Sequence, residues 1–95
     1  MKRYFIHIPP EIEIFLRHRH PKIKLKIRRA LDEISIDPYI GKPLKEQLSS
    51  LYSYRVSQYR IIYKIKREEI LIEVIEIAKR KIVYQKVAAL LRSIY

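Results

Sequence analysis

Residues 51–66 read LYSYRVSQYRIIYKIK, and the reading of this stretch decides the fold. Tyr, Ile and Val dominate it, as in a pleated, half-buried strand. In its second half Tyr59, Ile61, Tyr63 and Ile65 share one face, while Arg60, Ile62, Lys64 and Lys66 share the other. A two-residue turn at Ser57-Gln58 sets Val56 opposite Tyr59 and Arg55 opposite Arg60. The first pair then lies toward the core and the second on the opposite face. Two arginines directly across a ladder repel each other. An anion between them offsets that cost, because paired guanidinium donors match phosphate oxygens. An ordinary solvated face, with the arginines splayed apart, is the competing reading. Ser57-Gln58 also lacks the glycine usual in so tight a turn.

Working outward, residues 69–77 (EILIEVIEI) hold five Ile or Val in nine positions, which favours a buried strand. Lys79-Arg80-Lys81 interrupts, and a last helix follows with Val83, Val87, Leu90, Leu91 and Ile94 on one face. On the N-terminal side Gly41-Lys42-Pro43 marks a loop, and Asp37-Pro38 closes a helix whose apolar positions are Ile23, Ile27, Ala30, Leu31 and Ile34. Leu25 lies off that stripe. Before it, Ile12, Phe15 and Leu16 give a short helix one apolar edge. Pro9-Pro10 opens that helix and His18-Arg19-His20-Pro21 ends it. Arg3 to Ile8 reads as a strand. The order is β-α-α-β-β-β-α, with no repeat and no linker. The expected class is α+β: an antiparallel sheet packed against the N-terminal helical pair, with a C-terminal helix.

At 95 residues the chain is expected to form one domain spanning 1–95, near the lower size at which a core sustains itself. Hydrophobic residues make up 48% of it, too many for a disordered basic tail. There is no cysteine, which excludes disulfide scaffolds and thiolate sites. No apolar run suits a signal peptide or a membrane span, so a cytoplasmic protein without a membrane partner is expected. The formal net charge is +11, and residues 38–67 concentrate it, with seven bases against one acid. The bases are Lys42, Lys45, Arg55, Arg60, Lys64, Lys66 and Arg67; the acid is Glu46. Such a segment is the footprint of a polyanion partner, nucleic acid first. A Lys- and Ile-rich composition without Asn also accords with growth at high temperature, which accounts for abundant charge but not for its sign.

Arg80 and Tyr84 form a second constellation. Arg80 follows the last strand, and Tyr84 begins the last helix one position off the Val83 stripe, free to present its hydroxyl to a ligand. With eight tyrosines in the chain most are packing groups, and Tyr52, Tyr54, Tyr59 and Tyr63 belong to the core or its rim. His7, His18 and His20 lack carboxylate or cysteine partners at ligand spacing, so no metal site is expected. There is no glycine-rich phosphate loop and no Ser-His-Asp pattern.

PYIGKPL at 38–44, YRVSQYRIIY at 54–63 and AKRKIVY at 78–84 resemble the RelE/ParE toxin superfamily of type II toxin–antitoxin systems. The resemblance covers nearly the whole chain. Its RelE branch implies a metal- and cofactor-independent endoribonuclease that cuts mRNA in the ribosomal A site by attack of the 2′-hydroxyl on the adjacent phosphate. It also implies a RelB-like antitoxin as partner. Arg60 and Arg80 match arginines that hold the phosphate, Arg55 matches a basic hairpin position, and Tyr84 matches a tyrosine of proton transfer. Lys42, Lys45, Lys64, Lys66, Lys79 and Lys81 are expected to contact RNA and ribosome. Three positions depart from the pattern: Ser53 stands near a lysine of ribonuclease members, Lys79 where many carry His, and Ser57-Gln58 in place of Gly-Asp. The alternatives are a ParE-like, non-enzymatic inhibitor of DNA gyrase and a degenerate toxin that only binds.

Overall fold

The structure, a computed structural model, describes residues 3–94, with Ser93 and Ile94 by backbone alone. Two prolines open the helical pair. Pro10 sits at the first position of α1 (Pro10–Arg17) and Pro21 at that of α2 (Pro21–Ile36), where a missing N–H costs nothing. Both histidines of the turn between them serve the backbone. His18 Nδ1 donates to Ile14 O at 2.8 Å, and His20 Nδ1 accepts from the Lys22 amide at 3.1 Å.

Five strands form one sheet in the order β1-β5-β4-β3-β2. They are β1 (Phe5–His7), β2 (Lys42–Pro43), β3 (Leu51–Val56), β4 (Tyr59–Lys66) and β5 (Leu71–Lys79). The central hairpin has the expected register, with Val56 opposite Tyr59 and Arg55 opposite Arg60. Its turn places Ser57 at φ 58°, a conformation that glycine adopts at less cost. The α+β class holds and the expected elements follow in sequence, but the sheet is mixed and gains a strand. β1 pairs parallel to β5, because only strands joined by a tight turn are bound to run antiparallel. A two-residue strand, β2, has no counterpart in the expected order and pairs with β3 beyond the Gly41 loop.

The sheet separates two cores. On one side α1 and α2 cover Val56, Ile61, Tyr63, Ile72, Val74 and Ile77. On the other, α3 (Arg80–Ile94) covers Leu51, Ile62 and Ala78 with Val83 and Val87. Val74 and Ile77 share a face three residues apart because the β4–β5 register shifts between Ile62 and Tyr63, the mark of a β-bulge. Lys79-Arg80-Lys81 is not an interruption: β5 runs through Lys79 and α3 begins at Arg80, whose amide donates to Gln58 O at 3.0 Å. The ladder is thus closed by the first residue of the helix. Within the α3 stripe Val83 and Val87 are buried and Leu91 half-buried, whereas Leu90 is 42% exposed and leaves the buried set. Ile94's side chain lies outside the described residues. No helix among the described residues is long and apolar enough to cross a membrane.

Candidate active site

The hairpin and α3 bring the predicted residues to the turn end of the sheet, on the face that α3 covers. Arg60 alternates with Ile61, which is buried on the opposite side, so its side chain emerges beside α3. There Arg60 Nη1 donates to Ser53 Oγ at 3.2 Å. Tyr84, one residue past the buried Val83, packs half-buried against the α3-side core and sets its hydroxyl 3.2 Å from the same Ser53 Oγ. Ser53 is 3% exposed. Two of the predicted side chains therefore converge on one buried serine. Arg60 Nε is buried and has no hydrogen-bond partner among the described residues.

Arg55 and Arg80 are exposed and line one open concavity with Ser57, Gln58, Lys79, Lys81 and Ile82. Four cations thus surround an opening that adjoins the cluster through Arg55, the register partner of Arg60, and among the described residues no acid lines it. The facing arginines take separate partners: Arg55 Nε donates to Ser57 O at 3.4 Å, and Arg60 turns to Ser53. The splayed arrangement is the one present.

The remaining lysines divide. Lys42 is the register partner of Ser53 on β2 and exposed, which puts its side chain on the same face of the sheet as the cluster. Lys45 is exposed before the short 3-10 turn Glu46–Leu48. Lys64 lies about 13 Å along β4 from Arg60 at ~3.3 Å per residue. Lys66 is farther still and pairs with Glu73 at 3.3 Å. These last two are not gathered at the concavity. Among the described residues no group of three or more His, Cys, Asp or Glu gathers that could hold a metal.

Sequence reasoning treated Ser53 as a loss from the site rather than as its centre. The signal was present: Ser53 is two residues before Arg55 in β3, so it shares the Arg60 face. Lys42, by contrast, depends on β2, a strand too short to be read from periodicity.

Beneath the site Tyr63 fixes the loop that leads into β2. Its hydroxyl donates to Pro38 O at 2.6 Å and accepts from the Gly41 amide at 3.1 Å. A Cβ at Gly41 would run into the Tyr63 phenol, so this glycine is needed for close approach and not for its φ of −74°. Burial pushes the Tyr63 phenol up to about 12, against the smaller downward pull of the Gly41 amide. Tyr54 is also raised, first by its hydrogen bond to Glu33, at 2.6 Å, then by burial.

Comparison with known proteins accords with this geometry. Residues 5–84 match the profile of the ParE toxin of type II toxin–antitoxin systems. Among solved structures, the toxin–antitoxin complex RelBE2 from Mycobacterium tuberculosis aligns with TM-score 0.73 and 25% identity, covering 82% of this chain and 99% of that one. A mutant of the E. coli toxin RelE in the free state gives TM-score 0.73 at 18% identity, over 92% of both chains. The archaeal RelE–RelB complex from Pyrococcus horikoshii gives 0.68 at 19%, over 82% and 96%. No curated protein sequence matches the chain. The profile match spans the hairpin, β5 and the start of α3, including all four residues expected to act on phosphate, and by it the chain belongs to the ParE toxin family of type II toxin–antitoxin systems, within the RelE/ParE superfamily.

Proposed function

We propose that this toxin is a RelE-like, ribosome-dependent endoribonuclease that cleaves mRNA in the A site, and that an antitoxin of RelB type neutralises it. The observation that carries the reading is the meeting of Arg60 and Tyr84 on Ser53, beside the concavity that Arg55 and Arg80 share. The Tyr84 hydroxyl and the Arg60 guanidinium are held on one buried serine, which supplies a proton carrier and a cation together. In the reaction the 2′-oxygen forms a bond to phosphorus as the bond to the 5′-oxygen breaks. The 2′-proton leaves to a base and the 5′-oxygen gains one, giving a 2′,3′-cyclic phosphate and a 5′-hydroxyl. Arg60 and Arg80 hold the non-bridging oxygens as negative charge builds on them, which fixed donors in a partly dry site do well. Tyr84 moves a proton at a reacting oxygen.

The antitoxin reading is supported by the RelB complexes among the similar structures. An acidic, amphipathic segment suits the basic hairpin and α3. The second reading is gyrase inhibition, favoured by the profile match to ParE. Primer extension on translated mRNA after induction separates the two. Codon-spaced cuts are expected. Intact mRNA together with blocked gyrase supercoiling would overturn the nuclease reading.

A further inference from the structure

Ser53 has one hydroxyl proton and two polar neighbours. Arginine has only donors, so the Arg60 Nη1–H at 3.2 Å fills a lone pair of Ser53 Oγ. The serine proton is then free to point at Tyr84 Oη, 3.2 Å away, which in turn frees the tyrosine proton to point outward. Rotating one O–H reverses the second bond, so that Tyr84 donates to the other lone pair of Ser53. In the first arrangement the serine hydroxyl is bonded whether Tyr84 is neutral or charged, whereas the second exists only for the neutral tyrosine and leaves the serine proton without an acceptor. We infer that Ser53 is a positioning residue: it transmits the charge of Arg60 to the Tyr84 oxygen and holds that oxygen in both its neutral and its charged form.

Packing alone does not account for this serine. It sits 3% exposed in the middle of β3, on the α3-facing side with Leu51. A β-branched apolar residue would suit both the strand and that core better. A buried hydroxyl is costly unless bonded, and this one is bonded to the two side chains placed at the reaction. The other charged groups of the sheet on this face are Arg55 of β3, Lys42 of β2, Lys64 and Lys66 of β4, and Glu73 and Glu76 of β5, with Arg80 at the start of α3. Of the cations among them and Arg60, only Arg60 touches the serine.

The kinetic half of the test rests on the nuclease reading; the spectroscopic half does not. Ser53→Thr and Ser53→Val have nearly the same shape and differ in the hydroxyl. In single turnover on programmed ribosomes, Ser53→Val is expected to cleave about 10- to 100-fold more slowly than Ser53→Thr at equal ribosome affinity, the worth of one hydrogen bond to a charged group. In a Tyr84→Phe background that difference should vanish. Ultraviolet resonance Raman of the free toxin, each variant read against its Tyr84→Phe partner, should show the Tyr84 hydroxyl hydrogen-bonded differently in Ser53→Val than in Ser53→Thr. Equal rates would overturn the inference, as would equal spectra or a Thr-to-Val difference that persists without the Tyr84 hydroxyl. If the wild type cleaves no ribosome-bound mRNA, the nuclease reading fails and the spectra alone decide the role of Ser53. Ser53→Ala, which adds no bulk, takes the place of the valine variant in both halves if the latter does not fold.

Discussion

Tyr63→Phe removes one oxygen atom from the deepest aromatic of the sheet, and its consequences can be worked out from geometry. The ring is fully buried and stacks on Tyr52, and the substitution leaves that packing in place. What disappears is the pair of bonds to Pro38 O and the Gly41 amide, at 2.6 and 3.1 Å. Pro38 and Gly41 are buried, so a carbonyl and an N–H lose their partner away from water. Each such loss costs about 1–3 kcal/mol, and partial relaxation of the loop brings the expected total to about 2–4 kcal/mol. Against the 5–15 kcal/mol typical of a whole domain this is a large fraction, and it lowers Tm by roughly 8 °C or more. Denaturant unfolding at pH 7 measures it. A loss below about 0.5 kcal/mol would refute the accounting. The alkaline limb gives a second reading. The unfolded chain releases this proton near pH 10, whereas the folded phenol is pushed up to about 12. The contribution of the phenol is therefore fully present below pH 10. It falls by up to about 1.4 kcal/mol per pH unit between 10 and 12, where the unfolded state has lost a proton that the folded state keeps. Tyr63→Phe should unfold with a flatter pH dependence in that window. Tyr54→Phe should flatten it less, since Tyr54 is shifted in the same direction but lies at the rim. A Tyr63→Phe profile parallel to wild type would refute the assigned cause.

The other predictions concern the site and its neighbours. Arg60→Ala and Arg80→Ala should each slow single-turnover cleavage on programmed ribosomes by ~100-fold or more, with midpoints of denaturant unfolding close to wild type; unchanged cleavage in both would remove the phosphate clamp. Tyr84→Phe keeps the ring against α3's core and should preserve stability and ribosome binding while slowing the chemical step by ~100- to 10,000-fold, so full activity would return Tyr84 to a packing role. Gly41→Ala forces a methyl into the Tyr63 phenol and should destabilise by about 1–3 kcal/mol, as overpacking does; calorimetry checks it, and a neutral result would mean that the loop yields freely. Association with the antitoxin should slow as salt rises, because attraction between an acidic segment and the basic face is screened; stopped-flow rates independent of salt would count against that surface.

The hairpin was legible because it is local. Alternation over Tyr59–Lys66 and the length of the turn fix which residues face each other, and the Arg55–Arg60 and Val56–Tyr59 pairs follow without tertiary information. Pro10 opened its helix for a reason equally local, the missing N–H, and the same reason puts Pro21, read as the end of the turn after α1, at the start of α2. What escaped the sequence depends on distant partners. The parallel pairing of β1 needs Ile70 and Leu71 from the far end of the chain. β2 exists only because β3 offers it an edge, and its two residues carry no periodicity. Leu90 is exposed although Leu91 beside it still packs on the α3-side core, a division that a helical wheel does not encode.

The bulge between β4 and β5 shows why the site itself was only half legible. Strict alternation along β5 from Ile72 and Val74 would place Ala78 and Lys79 on faces opposite to those they occupy. The register shift between Ile62 and Tyr63 inserts one residue, so Ile77 returns to the side of α1 and α2 and Ala78 meets Arg60 under α3. Only then does Arg80 follow at the edge of the concavity, its amide on Gln58 O, with Val83 buried and Tyr84 turned toward Ser53. Arg80 and Tyr84 could be named from their spacing, but their approach to Arg60 is set by a single extra residue in the neighbouring strand. Ser53 was undervalued for the same reason: its two partners come from β4 and α3, and its chemistry emerges only where they meet β3.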